Sequence, residues 1–288
     1  VDDNMNILPL IGLISTGAES FVREALASQR VSIDFFENSA LNHGIFCVAE
    51  HPECVIAYAA FRKYSDPDSL CEAMRERMRP YLHNADETRE ICFNVYGRNS
   101  EIIAFARELG FASDMEGYEL KLERSEPSES SELSEHAPSA AELVERGFTS
   151  EMLESFIHLF ERAYAALNEA NGWPTDGFRS QPGSFLQRLH SREQAGQVRS
   201  FWLGGRLVGA YVIAGTHIRD LVIDPAYQNR GFGRILLNSC INRMSSVPGQ
   251  ETILLRVAKS NAGAKRFYER NRFTEQACFA EHTFRKGG

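Results

Sequence analysis

The sequence predicts a mixed α/β (α+β) protein of two domains. Two observations carry that reading. Helical and strand-like apolar periodicities alternate along the C-terminal half, and the central stretch SEPSESSELSEHAPSAA, Ser125 to Ala141, contains almost nothing that could be buried. With 288 residues the chain can supply two domains of ordinary size. The expected division is a first domain over 1–124, a linker over 125–142 and a second domain over 143–288.

In the second domain, Thr149 or Ser150 can cap a helix whose Met152, Phe156, Leu159, Phe160 and Ala163 share one face. Asn168 to Gly183 follows as a long loop, with Gly172, Gly177 and Gly183 as hinges and Trp173 and Phe178 as apolar anchors. A short helix carries Phe185, Leu186 and Leu189. Val198–Leu203 and Leu207–Ala214 flank Gly204-Gly205 as a hairpin, and His217–Ile223 is a further strand. A helix over 231–244, a strand over 252–257, a helix over 261–270 and a strand over 274–283 complete the layout. In the first domain the apolar run Ile7 to Ile14 is broken by Pro9 and Gly12 and is too short to span a bilayer. It is expected to be a strand, and Asp2 and Asp3 stand where a signal peptide would carry positive charge.

Apolar residues make up 43% and charged residues 24% of the chain, which excludes disorder or membrane embedding of the whole. The six cysteines, Cys47, Cys54, Cys71, Cys92, Cys240 and Cys278, form no C-x-x-C pair. They are expected to be free thiols of a reducing, cytoplasmic compartment, with no metal bound. The net charge of −8 is uneven: −9 over 1–125, −5 over 126–142 and +6 over 143–288. A basic C-terminal half suits an anionic ligand, although a solvated basic surface has the same composition.

The strongest local signal is Gln228-Asn229-Arg230-Gly231-Phe232-Gly233-Arg234, between an expected strand and an expected helix. A helix N-terminus presents unpaired N–H groups and a positive dipole end. Gly231 and Gly233 allow close backbone approach, and Arg230 and Arg234 add charge. The combination suits a pyrophosphate, and a tight turn that uses glycine for geometry alone would look the same. No Gly-Lys-Ser/Thr closes it as a P-loop, and the third glycine of a dinucleotide fingerprint is missing.

The stretch Leu221-Val222-Ile223-Asp224-Pro225-Ala226-Tyr227-Gln228-Asn229-Arg230-Gly231-Phe232-Gly233 resembles motif A of the GNAT acetyltransferase superfamily. Leu255-Arg256-Val257-Ala258-Lys259-Ser260-Asn261, continuing to Phe267-Tyr268-Glu269, resembles motif B. Order, spacing and surrounding layout agree over about 143–285. The resemblance implies a fold in which a mostly antiparallel sheet, flanked by helices, has a splayed strand pair, and a reaction that moves an acetyl group from acetyl-CoA to a primary amine by direct attack in a ternary complex. It implies that the amides of Asn229 to Arg234, following Gln228, hold the CoA pyrophosphate, and that the backbone of Leu221, Val222 and Ile223 pairs with the pantetheine arm and polarises the thioester carbonyl. Asn261 would contact the pantetheine and Tyr268 would protonate the departing thiolate. The family places its general base variably. His217 stands where some members carry a carboxylate and has a suitable ordinary pKa. Asp220, on the opposite strand face, is the alternative. The segment Asn168 to Gly183 would wall the acceptor side, with Trp173 over a small-molecule or peptide amine. Two departures stand out: Arg256 where protein-acetylating relatives carry Glu, and Arg272 where the family usually turns through Gly.

The first domain repeats the motif B frame. Asn99, Phe105 and Phe111 precede Asn261, Phe267 and Phe273 by the same interval. Carried back, that interval sets Ser69 and Cys71 at the glycines, Asp66 at Gln228, Asp68 at Arg230 and Ala106 at Tyr268. Carboxylates in place of the cradle oppose phosphate binding, so the first domain is expected to be a degenerate, non-catalytic copy. A CoA-binding sensor or scaffold without turnover is the alternative function. A nucleic-acid module fits less well, because the bases are scattered without interleaved aromatics.

Overall fold

The computed structural model describes residues 42–50, 54–85, 89–97, 99–123, 143–248 and 252–284, and the backbone of 31–38. The expected strand at Ile7 to Ile14 and the expected linker lie outside the described residues. The chain divides into two compact units, Val1–Glu119 with Glu275–Gly288, and Leu120–Thr274. The last strand groups with the first unit.

In the first unit β1 (Val31–Asn38), β2 (His43–Glu50) and β3 (Cys54–Lys63) form an antiparallel meander. Helix α1 (Pro67–His83) leads to β4 (Glu90–Tyr96), helix α2 (Ser100–Glu108) and β5 (Phe111–Glu123). Asp66 caps α1 by accepting the Ser69 N–H at 3.0 Å, and Leu70, Met74 and Met78 bury one stripe. β3 and β4 run parallel and stay paired from Cys54↔Glu90 to Ala60↔Tyr96. Phe93 of β4 is the hub of the core, with the rings of Phe46, Phe105 and Phe111 at 5.9, 6.3 and 5.5 Å. The chain's last strand, β11 (Thr274–Phe284), lies antiparallel to β4 from Phe279↔Tyr96 to Thr283↔Cys92. Its His282 is fully buried and donates from Nδ1 to the Phe93 carbonyl at 3.0 Å.

In the second unit the strand order is β10-β9-β8-β7-β6. The elements are β6 (Leu143–Arg146), α3 (Leu153–Asn171), α4 (Gly177–Ser180), α5 (Pro182–Glu193), β7 (Val198–Leu203), β8 (Arg206–Ala214), β9 (His217–Ile223), α6 (Phe232–Ser245), β10 (Thr252–Ala258) and α7 (Ala262–Arg270). Two expectations change. Neither Thr149 nor Ser150 caps α3 through its side chain: a 3-10 turn, Ser150–Met152, precedes the helix, and Ser150 Oγ bonds His190 Nε2 at 2.9 Å. The long loop is largely helical, because α3 continues to Asn171 and α4 occupies its centre. Phe156, Phe160 and Phe185 bury against Val198, Ala210, Val212 and Val222 of the sheet. Gly204 and Gly205 close the β7–β8 hairpin with φ of +55° and +78°, the turn for which two left-handed residues are needed.

The two units share an element order, and β4–α2 and β10–α7 match in length. Ser100 precedes Ala262, and Glu90 precedes Thr252, by the same 162 positions. Gly110 after α2 has φ +92°, and its counterpart Arg272 after α7 has φ +70°. At Arg272 the chain makes a Schellman closure: Arg272 N–H donates to Glu269 O and Phe273 N–H to Tyr268 O, both at 3.1 Å, and the Phe273 ring lies 5.6 Å from Tyr268. An arginine in this conformation is strained by about 1–2 kcal/mol. Arg272→Gly relieves that strain at the cost of a looser unfolded chain. We expect a net stabilisation of about 1 kcal/mol in urea melts, and a loss of stability would show that the Arg272 side chain makes a compensating contact.

Candidate active site

β9 is held on one side by β8, from Ala214↔His217 to Gly209↔Ile223. On its other side β10 pairs with its first two residues alone, Leu254↔His217 and Leu255↔Ile218. Arg219 has no partner in β8, because the register steps from Ile213↔Ile218 to Val212↔Asp220. Such a bulge bends its strand, and it sits where pairing with β10 stops. From Arg219 onward β9 has one open edge among the described residues.

Main-chain groups alternate sides along a strand. Asp224 N–H donates to Val208 O at 2.9 Å, so Val222 addresses β8 while Leu221 and Ile223 address the open edge. Gly209 makes the tight β8–β9 contact possible, since a Cβ there would lie 2.6 Å from Val222 O. Of the three residues expected to offer backbone groups, Leu221 and Ile223 are placed to do so and Val222 is engaged in the sheet.

The turn after β9 is fixed at three points. Asp224 accepts from Ala226 N–H at 2.9 Å and holds Arg162 of α3 through two bonds of 3.1 Å. Gln228 donates from its side-chain amide to Ile223 O at 3.1 Å. Phe232, 1% exposed, anchors the start of α6. Between them Asn229 and Gly231 take φ of +57° and +85°, conformations that Asn and Gly tolerate. Of the first N–H groups of α6, that of Arg234 donates to Gly231 O at 3.1 Å, while those of Phe232 and Gly233 have no acceptor within the helix. Gly231 and the Arg230 and Arg234 side chains are exposed around them, and Arg230 lies over the Tyr227 and Phe232 rings at 5.5 and 5.7 Å. A Cβ on Gly233 would come within 3.4 Å of Phe267. An amide-rich, positively charged helix end therefore follows directly on the open edge. The corresponding end of α1 carries Asp66 and Asp68, and β3 above it is zipped to β4.

Tyr268 of α7 is 9% exposed, packed between Phe267 and Phe273 at 5.2 and 5.6 Å. Among the described residues none hydrogen-bonds its hydroxyl. Burial, followed by the Cys240 thiol and Asp220, raises its pKa above the ordinary tyrosine value, so the hydroxyl keeps its proton at neutral pH. Asn261 caps α7 by accepting the Ala264 N–H at 3.1 Å, which leaves its NH2 for any other contact.

The two expected bases are placed differently. His217 lies at the closed end of β9, paired with both neighbours, and its Nδ1 meets Thr216 Oγ1 at 3.2 Å. Asp220 lies on the open stretch and accepts the Tyr164 hydroxyl at 2.9 Å, with Arg219 Nε 3.8 Å from its second oxygen. Its side chain is 16% exposed. Burial raises its pKa, opposed by the Tyr164 hydrogen bond and then by Arg219 and Arg188. Tyr164, Arg162 and Arg188 are the members that sequence reasoning missed. Tyr164 continues the apolar stripe of α3 one turn after Phe160, which masks its polar end. Trp173 is half-buried, and its N–H donates to Asn168 O at 2.9 Å in the left-handed closure at Gly172. Asn171 further ties this end of α3 to Ser260 at 2.9 Å.

Comparison with known proteins agrees with this geometry. The model of the acetyltransferase (GNAT) family matches residues 150–273. That segment is a GNAT acetyltransferase domain. A GCN5-related N-acetyltransferase from Sphaerobacter thermophilus aligns with 15% identity and a TM-score of 0.53, over 83% of this chain and 76% of its own. A Drosophila protein aligns with 10% identity and a TM-score of 0.54, over 98% of this chain and 96% of its own. These likenesses establish a shared fold. No curated protein matched. The GNAT segment contains the open edge of β9, the turn at Gly231 and Tyr268.

No described helix is long and apolar enough to cross a membrane. All six cysteines are free; burial pushes the Cys92 thiol up to about 11 and Cys240 up to about 12. If the turn is an anion site, Gly231→Glu should abolish CoA binding, through Cβ strain and negative charge, without unfolding the domain. Ser69→Glu, at the matching place on α1, should leave binding unchanged in calorimetry.

Proposed function

We propose that the protein is an acetyl-CoA-dependent N-acetyltransferase whose working site lies in the GNAT domain, residues 143 to about 273, and that the first unit is a non-catalytic copy joined through the 125–142 linker. The observation that carries this reading is the parting of β9 from β10 directly before an amide-rich helix end. The open edge offers Leu221 and Ile223 to a pantetheine arm by strand-like pairing. The amides from Asn229 to Arg234 suit its pyrophosphate, with Arg230 and Arg234 adding charge. Among the described residues of the first unit, β3 stays paired with β4 and the matching helix end carries Asp66 and Asp68.

In this reading an amine attacks the thioester carbonyl, a C–N bond forms and the C–S bond breaks. A backbone N–H of the open edge stabilises the carbonyl oxygen as charge develops there. Asp220 takes the proton from nitrogen, and burial tunes its carboxylate towards that task. Its position on the open stretch favours it over His217, which is enclosed by two strands. Tyr268 gives its proton to the departing thiolate. The acceptor is a small-molecule or peptide amine entering from the α3–α5 side.

Calorimetry should find one acetyl-CoA per chain; two comparable sites would overturn the degenerate-copy reading. Tyr268→Phe should lower turnover by roughly ten- to a thousand-fold with little change in CoA affinity, and unchanged turnover would return Tyr268 to packing. The base gives a separate signature in pH. Asp220 acts when deprotonated, so kcat/KM should rise with pH through a value above the ordinary carboxylate range. Tyr164→Phe removes a hydrogen bond that favours the carboxylate, so this limb should move to higher pH. An unmoved limb would show that another group is the base.

A further inference from the structure

The α3–α5 side of the site carries a cation as well as the Asp220 carboxylate. Arg188 of α5 is half-buried, with its guanidinium 5.2 Å from the Phe185 ring centre and 5.9 Å from that of Phe178. Phe178 stacks on Tyr164 at 6.2 Å and 21°, and the Tyr164 hydroxyl bonds Asp220 at 2.9 Å. Arg188 and Asp220 thus stand at the two ends of one aromatic wall. Of the other arginines in this domain, Arg162, Arg179, Arg199, Arg219 and Arg243 lie within 4.0 Å of a carboxylate oxygen. Arg188 forms no ion pair or hydrogen bond among the described residues, its contacts being ring faces. Burial consequently lowers its pKa, opposed by Asp220. A guanidinium stripped of part of its water, with its planar fork unengaged, gains most from a carboxylate.

We infer that the acceptor is a primary amine that also bears a carboxylate, held with the carboxylate on the Arg188 guanidinium and the amine towards Asp220 across the Tyr164–Phe178 wall. Amino acids and peptides ending close to the reacting amine are the simplest members of this class. The inference rests on the acetyltransferase reading for the amine but not for the carboxylate, which binds whether or not turnover follows.

The test uses matched pairs, amino acids of graded length and the same amines without the carboxylate. Their affinities are measured by calorimetry on the CoA-saturated protein, and their acetylation by thiol release. The carboxylated member should bind about ten- to a hundred-fold more tightly, the range for a charge-assisted pair. In Arg188→Met that ratio should fall to near one, and Arg188→Lys, which keeps charge without the fork, should lie between. CoA affinity and melting temperature of each variant separate a local effect from misfolding. Equal affinities within the pairs in the native protein would overturn the inference, as would a ratio that survives Arg188→Met. Carboxylate-selective binding without thiol release would overturn the acetyltransferase reading and leave the Arg188 site standing.

Discussion

The bulge at Arg219 is the constraint on which the chemistry proposed for the second unit depends. One residue without a partner in β8 bends β9, and β10 is lost at the same point. The main-chain groups of Leu221 and Ile223 are thereby left without strand partners in a sheet that would otherwise bond them. Unsatisfied backbone groups next to a core are costly; the Gln228 side chain serves Ile223 O, and the other groups of this edge are left for water or a ligand. The turn and the helix end follow directly on that opening. The first unit supplies the contrast: the bulge of β3 lies at its far end, around Arg62, and β3 keeps β4 as a partner up to Ala60.

Much of this was legible in the residues. The glycine turn and its place between a strand and a helix follow from spacing, because helix ends and tight turns are local, whereas Asn261 and Tyr268 were singled out through the resemblance to motif B. The hairpin at Gly204-Gly205 is local in the same sense. The loop at Asn168 to Gly183 was misjudged because its glycines suggest breaks, although Gly177 and Gly183 sit in helical first turns where glycine is tolerated. The Asp220–Tyr164 pair was hidden, since it joins positions 56 residues apart. Which of two carboxyl or imidazole groups stands at an opening is decided by strand pairing, which the sequence does not spell out.

The environments of Asp220 and Tyr268 point in complementary directions. Both are deprived of water, and the Asp220 carboxylate disfavours charge on Tyr268. Burial draws the carboxylate closer to neutrality, where it takes up a proton more readily, while the phenol holds its proton until a strong base appears nearby. A departing thiolate is such a base. The pair therefore suits a reaction in which one proton arrives as another leaves, with little net charge change in a site of low polarity.

Residues 275–288 count with the first unit, whose β4 pairs with β11. This has a consequence for biosynthesis. The strand partner of β4 is made only after the whole GNAT segment, so the first unit cannot complete its sheet when it emerges. Its core around Phe93 must wait with an exposed strand edge until β11 has been synthesised. Contacts of such long sequence separation form slowly, and unpaired edges invite association with other chains. The order of synthesis and the order of assembly are therefore opposed in this protein, and the GNAT segment, continuous in sequence, can be finished before the unit that precedes it.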